Sequence, residues 1–173
     1  MTLSDRLPGA VLRPVATVVL ALGLLAGCAS PGGALLGTAR PDVVASLGAP
    51  VSSTPLPGGG ERLLYTTQPS GFQVFHLDFD TTGRLVRRTQ VLTQERLLAI
   101  PVGQWTVADV QRTFGPPMRI EQVARFDGDI WTYRLLGDFS TRRQGHVHID
   151  RAGVGSSVNI TTRTTPGDEL LIR

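Results

Sequence analysis

The 173-residue chain has no lysine, a single cysteine and few aromatic rings: six phenylalanines, two tryptophans and two tyrosines. One cysteine excludes an internal disulfide and any metal site built from several thiolates. Without lysine, no phosphate loop of the nucleotide-binding type is complete. All 17 basic residues are therefore arginine, which a GC-rich genome explains most simply, so arginine abundance is weak evidence for a nucleic-acid or phosphate site. The formal net charge of +3 is modest for this length and does not amount to a polybasic footprint. A transmembrane helix needs about 20 consecutive apolar residues, and no run here is that long. Hydrophobic residues make up 41% of the chain and charged residues 18%, the composition of a folded protein.

The longest apolar run lies near the N-terminus. Arg6 and Arg13 precede Val15-Ala16-Thr17-Val18-Val19-Leu20-Ala21-Leu22-Gly23-Leu24-Leu25, which ends in Leu25-Ala26-Gly27-Cys28. A short basic region, an apolar core and small residues make a secretory signal. The terminal four residues are those of a bacterial lipoprotein signal, with cleavage between Gly27 and Cys28 and lipidation of Cys28. Two or three acyl chains on one residue anchor stably where a single chain binds only marginally. Ala29 and Ser30 carry no acidic inner-membrane retention signal, so the periplasmic face of the outer membrane is the expected location. The covalent lipid is the only non-protein group expected, the membrane is the first expected partner, and nucleic acid is not expected.

Downstream, the chain repeats itself. Val43-Val44-Ala45-Ser46-Leu47-Gly48-Ala49-Pro50 is echoed by Val110-Gln111-Arg112-Thr113-Phe114-Gly115-Pro116-Pro117, both reading Val-x3-(Leu or aromatic)-Gly-x-Pro. Gly48 and Gly115 stand 67 residues apart, Tyr65 and Tyr133 68, and the Asp80-x-x-Gly83 and Asp150-x-x-Gly153 turns 70. Landmarks in one order with so little drift indicate an internal duplication. The expected organisation is a signal (1–27), a tether (28–36), a first unit (37–98), a second unit (99–162) and a C-terminal tail (163–173).

In the second unit, Thr106 and Asp109 form a capping box at a helix start, and Val107, Val110 and Phe114 share one helical face. Gly115 suits the C-terminal cap and Pro117 stops the helix. In the first unit Thr38, Pro41 and Asp42 mark the start, Val43 and Leu47 the apolar stripe, and Gly48 with Pro50 the end. The period then changes to two. Glu61–Tyr65, Gln73–Phe79 and Leu85–Val91 read as strands of the first unit, and Ile130–Leu135, Gly145–Ile149 and Val158–Thr161 as strands of the second. The expected fold class is α+β: two tandem units, each a short helix or helix pair followed by a three-stranded antiparallel meander, forming a helix-on-sheet layer.

Gly103-x-x-Thr106-x3-Val110-x3-Phe114-Gly115-x-Pro117, followed by Trp131-x-Tyr133 and an Asp-x-x-Gly hairpin, resembles the SmpA/OmlA domain of the BamE family of outer-membrane lipoproteins. The tandem arrangement also resembles the β-lactamase inhibitory protein, whose two units form one concave sheet. Gln104-Trp105 stands where the BamE family has a methionine, and that family carries one unit where this chain carries two. The first resemblance implies a non-enzymatic accessory lipoprotein in β-barrel assembly or envelope integrity, with BAM complex subunits or another envelope protein as partner. The second implies an inhibitor-like or ligand-binding module that uses the concave sheet.

Several residues invite chemistry. His146 and His148 alternate on a strand and offer two nitrogens to a metal, but no third ligand is evident, and a solvated sheet face is the competing reading. Gly58-Gly59-Gly60 reads as a flexible connection between helix and strand, and Asp78-Phe79-Asp80 as the approach to a hairpin turn, not a calcium loop. Asp127 and Asp129 beside Gly128 read as a loop or hairpin tip, with acid–base work as the alternative. No serine or cysteine nucleophile has a recognisable setting, so no enzyme activity is expected. Trp105, Trp131 and Tyr133 are candidate partner anchors or core rings. Arg87, Arg88, Arg142 and Arg143 suit acidic partners or lipid head groups, or else guard a sheet edge.

Overall fold

The computed structural model describes residues 30–162, and over that span the chain is α+β. Four strands make the first sheet in meander order: β1 (Ser52–Pro55), β2 (Glu61–Thr66), β3 (Val74–Phe79) and β4 (Leu85–Gln90). The second sheet repeats the pattern with β5 (Arg119–Val123), β6 (Phe126–Leu136), β7 (Arg142–Asp150) and β8 (Gly155–Thr162). Helix α1 (Arg40–Leu47) precedes the first sheet; α2 (Gln94–Leu98) and α3 (Val107–Phe114) precede the second. All neighbouring strands are antiparallel.

Each meander therefore has four strands where three were expected. The added members, β1 and β5, are edge strands, each paired on one side alone. An edge needs neither an apolar face nor a full set of ladder donors, so Ser52-Ser53-Thr54-Pro55 serves as a strand despite its proline. Strand β5 is exposed at every position but Glu121, which removes the alternation that marks a half-buried strand. Gly58-Gly59-Gly60 consequently joins two strands, not a helix and a strand. All three glycines have positive φ, and Leu56 and Gly60 close the loop with a backbone hydrogen bond. Asp127-Gly128-Asp129 is not a hairpin tip either, since it lies inside the eleven-residue β6.

The duplication reappears in the hydrogen bonds. Tyr65 donates its hydroxyl to the Gly48 carbonyl at 2.9 Å, and Tyr133 donates to Gly115 at 2.9 Å. Each bond ties a strand to the glycine that ends the preceding helix. Arg40 and Val107 each donate a backbone N–H to Gly83 and Gly153, both at 2.9 Å. Asp80 and Asp150 each accept, at 2.9 Å, the backbone N–H of the residue four positions on. The equivalent helix starts differ. Thr106 and Asp109 complete the expected capping box, whereas α1 begins after Ala39, which has no side-chain cap; Thr38 takes no capping role.

The core falls into two apolar clusters. In one, Val43 of α1 joins Leu63, Tyr65, Phe75, Leu77, Phe79 and Leu85 of the first sheet. In the other, Val110 and Phe114 of α3 join Trp131, Tyr133, Leu135, Val147 and Ile149 of the second sheet. Leu64 and Val74, on the opposite face of the first sheet, also belong to this second cluster, as does Leu97 of α2. Contact between the first sheet and α3 is close: a Cβ on Gly115 would stand 3.0 Å from a Leu64 methyl. Gln68 extends the tie by using its side-chain amide as a strand would, donating to the Arg134 carbonyl at 2.8 Å.

Residues 28–36 were expected to form a tether. From Ser30 onward they belong instead to the first unit. A 3-10 turn at Pro31–Gly33 lies over the Phe75 ring, and Gly37 and Thr38 exchange backbone hydrogen bonds with Leu85. The signal, with Gly27 and Cys28, and the tail from 163 lie outside the described residues.

Candidate interaction surfaces

The expected partner-binding residues separate into core and surface. Tyr133 is fully buried and Trp131 is 7% exposed. Phe114 stacks at a tilt on Tyr133 with centroids 6.0 Å apart, and the ring of half-buried Trp105 lies 6.3 Å from that of Phe114. Burial pushes the Tyr133 hydroxyl far above its ordinary pKa. Trp131 and Tyr133 are thus core rings, and the expectation that they anchor a partner is set aside for them. Two residues apart on a strand, they share one face and belong to the same apolar cluster as Val110 and Phe114. Trp105 is partly buried against the same cluster.

The arginines are divided too. Arg87 donates to Asp78 at 2.8 Å, and Arg62 clasps the same carboxylate from the neighbouring strand at 2.6 and 2.9 Å. Asp78 is 2% exposed; burial alone would raise its pKa, but the hydrogen bonds from Arg62 and Arg87 outweigh it and hold the carboxyl below its ordinary value. Asp78 is therefore a structural counter-ion. Arg88 donates to the Ala34 carbonyl, and Arg143 reaches Gln94 on α2. Arg142 is exposed.

The second sheet has a face of different character. The register sets Thr132 opposite His146, Ile130 opposite His148, Arg134 opposite Gln144 and His146 opposite Asn159, and cross-strand partners share a face. Arg119 and Glu121 of β5 join it and pair with each other at 2.8 Å. His146 and His148 lie on this face together, as the alternation requires. Both rings are already engaged. His146 contacts the Thr132 and Thr161 hydroxyls at 3.0 and 2.9 Å, and His148 contacts the Asn159 amide at 3.3 Å and the edge of Phe126. Burial lowers the pKa of both, with nearby Arg119 adding to the effect at His146. Among the described residues no cluster of three metal-ligating side chains occurs. The face carries imidazole, hydroxyl and amide groups that hydrogen-bond to one another.

Asp127 and Asp129 line a cleft of about 590 Å³ with Phe126, Ile149 and Asp150. Their carboxylates are occupied: Asp127 pairs with Arg151, Asp129 accepts from Gln122 at 2.9 Å, and Asp150 holds its own turn.

Two exposed apolar features had no place in the sequence reading. Phe139 is fully exposed in the β6–β7 connection at φ +52°, followed by Ser140 at φ +59°. Leu35 and Leu36 are 74% and 65% exposed. A leucine pair beside Gly37 was open to notice, but the assumption of a loose tether hid it.

No family model matches the chain, and no curated protein matches it. Among solved structures, a DUF4309 family protein, YjgB from Bacillus subtilis, is similar over 73% of this chain and 79% of its own, with 21% identity and a TM-score of 0.31. A likeness that distant carries no argument about fold or function.

Proposed function

We propose that the protein is a non-enzymatic lipoprotein of the outer membrane, tethered through Cys28 on the periplasmic side and acting by protein contact in β-barrel assembly or envelope integrity. Leu25-Ala26-Gly27-Cys28 at the end of the apolar run is the observation that carries this reading. In the finer architecture we propose, α1 and α3 each lie on a sheet as a helix layer, with α3 between the two sheets. The shared cluster of α3 residues with Leu64, Val74, Trp131 and Tyr133 supports that arrangement. It also bears on the alternative of an inhibitor-like module, which would favour clustered aromatics on an open sheet face. Trp131 and Tyr133 instead pack with Phe114. Crosslinking in intact envelopes followed by capture of this protein should recover a barrel-assembly subunit; capture that repeatedly recovers none refutes the association with barrel assembly.

A further inference from the structure

The lipid attachment point stands close to a fixed surface. Two residue steps separate Cys28 from Ser30, a span of at most about 7 Å for an extended chain. From Ser30 the backbone is held: Gly33 donates to the Ser30 carbonyl at 2.9 Å, and Gly37 donates to Leu85 at 2.8 Å. The surface around Ser30 is therefore brought to the head-group region by any acyl chain on Cys28.

That surface has the chemistry of a membrane contact. Leu35 and Leu36, consecutive in the chain, are 74% and 65% exposed. An arginine flanks each end of the pair: Arg88 donates to the Ala34 carbonyl just before it, and Arg84 donates to the Gly37 carbonyl just after it at 3.1 Å. Both arginines are exposed, and a guanidinium that commits one N–H to a carbonyl keeps others for phosphate oxygens. Leucines flanked by arginines match the boundary between acyl chains and anionic head groups. Guarding the β4 edge accounts for the arginines alone; it leaves the exposed leucines without a role.

We propose that the Leu35–Leu36 ridge, with Arg84 and Arg88 on its flanks, rests on the anionic phospholipid bilayer that holds the Cys28 acyl chains, so that the first unit beds directly on the membrane. This rests on the lipoprotein reading of Cys28. The test uses the acylated full-length protein in vesicles of phosphatidylethanolamine and phosphatidylglycerol. Because acylated Cys28 does not react with thiol probes, Leu36→Cys or Arg151→Cys takes a polarity-sensitive dye at one site. The dye at position 36 should shift to the blue and lose quenching by aqueous iodide, while the dye at 151 should do neither. Replacing Arg84 and Arg88 with serine should reverse part of the shift on vesicles containing phosphatidylglycerol. Mass analysis of the N-terminal peptide reads acylation independently. Acylated protein whose dye at 36 stays as aqueous as that at 151 overturns this inference alone. An unacylated Cys28 overturns the lipoprotein reading and this inference with it.

Discussion

Strand β3 is buried at all six of its positions, whereas β7, its counterpart in the second unit, alternates between buried and partly exposed residues over Gly145–Asp150. The two strands have the same neighbours in sequence order but different ones in space. At the offsets of the duplication, Leu64 corresponds to Thr132, Val74 to Gln144, His76 to His146 and Asp78 to His148. The first member of each pair lies on a face that meets α3 or is closed by paired charge. The second member of each lies on the polar face of the second sheet. Duplicated units can thus share turns, glycine helix ends and helix-to-strand hydrogen bonds while β3 is buried on both faces and β7 keeps one face polar and partly exposed.

The largest effect should come at the residue that both sheets share. Phe114→Ala removes a ring packed in the cluster with Leu64 and Tyr133 and should cost about 3–5 kcal/mol in urea denaturation. Its counterpart Leu47, half-buried, should cost about 1 kcal/mol as Leu47→Ala. Equal costs would break the comparison. Next, Asp78→Ala leaves Arg62 partly buried without its counter-ion and should cost about 3 kcal/mol, a value kept at the low end because Arg87 is well exposed. His148→Ala, at the matching position, should cost less than about 1 kcal/mol.

The third test is pH. His76 is 7% exposed and contacts the Thr113 carbonyl at 2.9 Å. Burial lowers its pKa, and Arg62 and Arg96 push the same way, against the Thr113 bond and Asp78. The unfolded chain therefore binds a proton before the folded one does. The stability this histidine contributes is fully present above the unfolded value of about 6.5 and is lost as pH falls toward its lower folded value. His146 and His148 shift in the same direction. Denaturation between pH 7.5 and 5 should show falling stability, and His76→Gln, which keeps a donor for Thr113, should flatten that slope most. If His146→Gln flattens it more, the open face carries the titration and the contrast between the sheets is misassigned. The smallest effect concerns the helix starts. Thr106→Ala should cost about 1 kcal/mol, whereas Ala39→Ser should add a few tenths to about 1 kcal/mol by supplying the cap that α1 lacks.

What could be read from the sequence follows from which interactions are local. The capping box at Thr106, the glycine ends at Gly48 and Gly115 and the two Asp-x-x-Gly turns all depend on residues within a few positions, and each is found where expected. Strands β1 and β5 were missed because an edge strand is fixed by its neighbour's backbone and leaves little mark on its own side chains. The fate of the aromatics was undecided for a related reason. Alternation sets Trp131 and Tyr133 on one face, but only the packing of α3 decides that this face is interior. The 28–36 segment misled because small residues and glycines suggest a linker, whereas from Ser30 they allow close approach, as Gly32 does over Phe75.

The anchor itself is tested most directly by fractionating cells that express the native chain or Cys28→Ser, with mass analysis of the N-terminal peptide. The account predicts a native protein that begins at an acylated Cys28 and sediments with outer membranes, and a Cys28→Ser protein that is folded, unacylated and no longer held by lipid. A native protein without acyl chains, or a Cys28→Ser protein that still carries them, would contradict it.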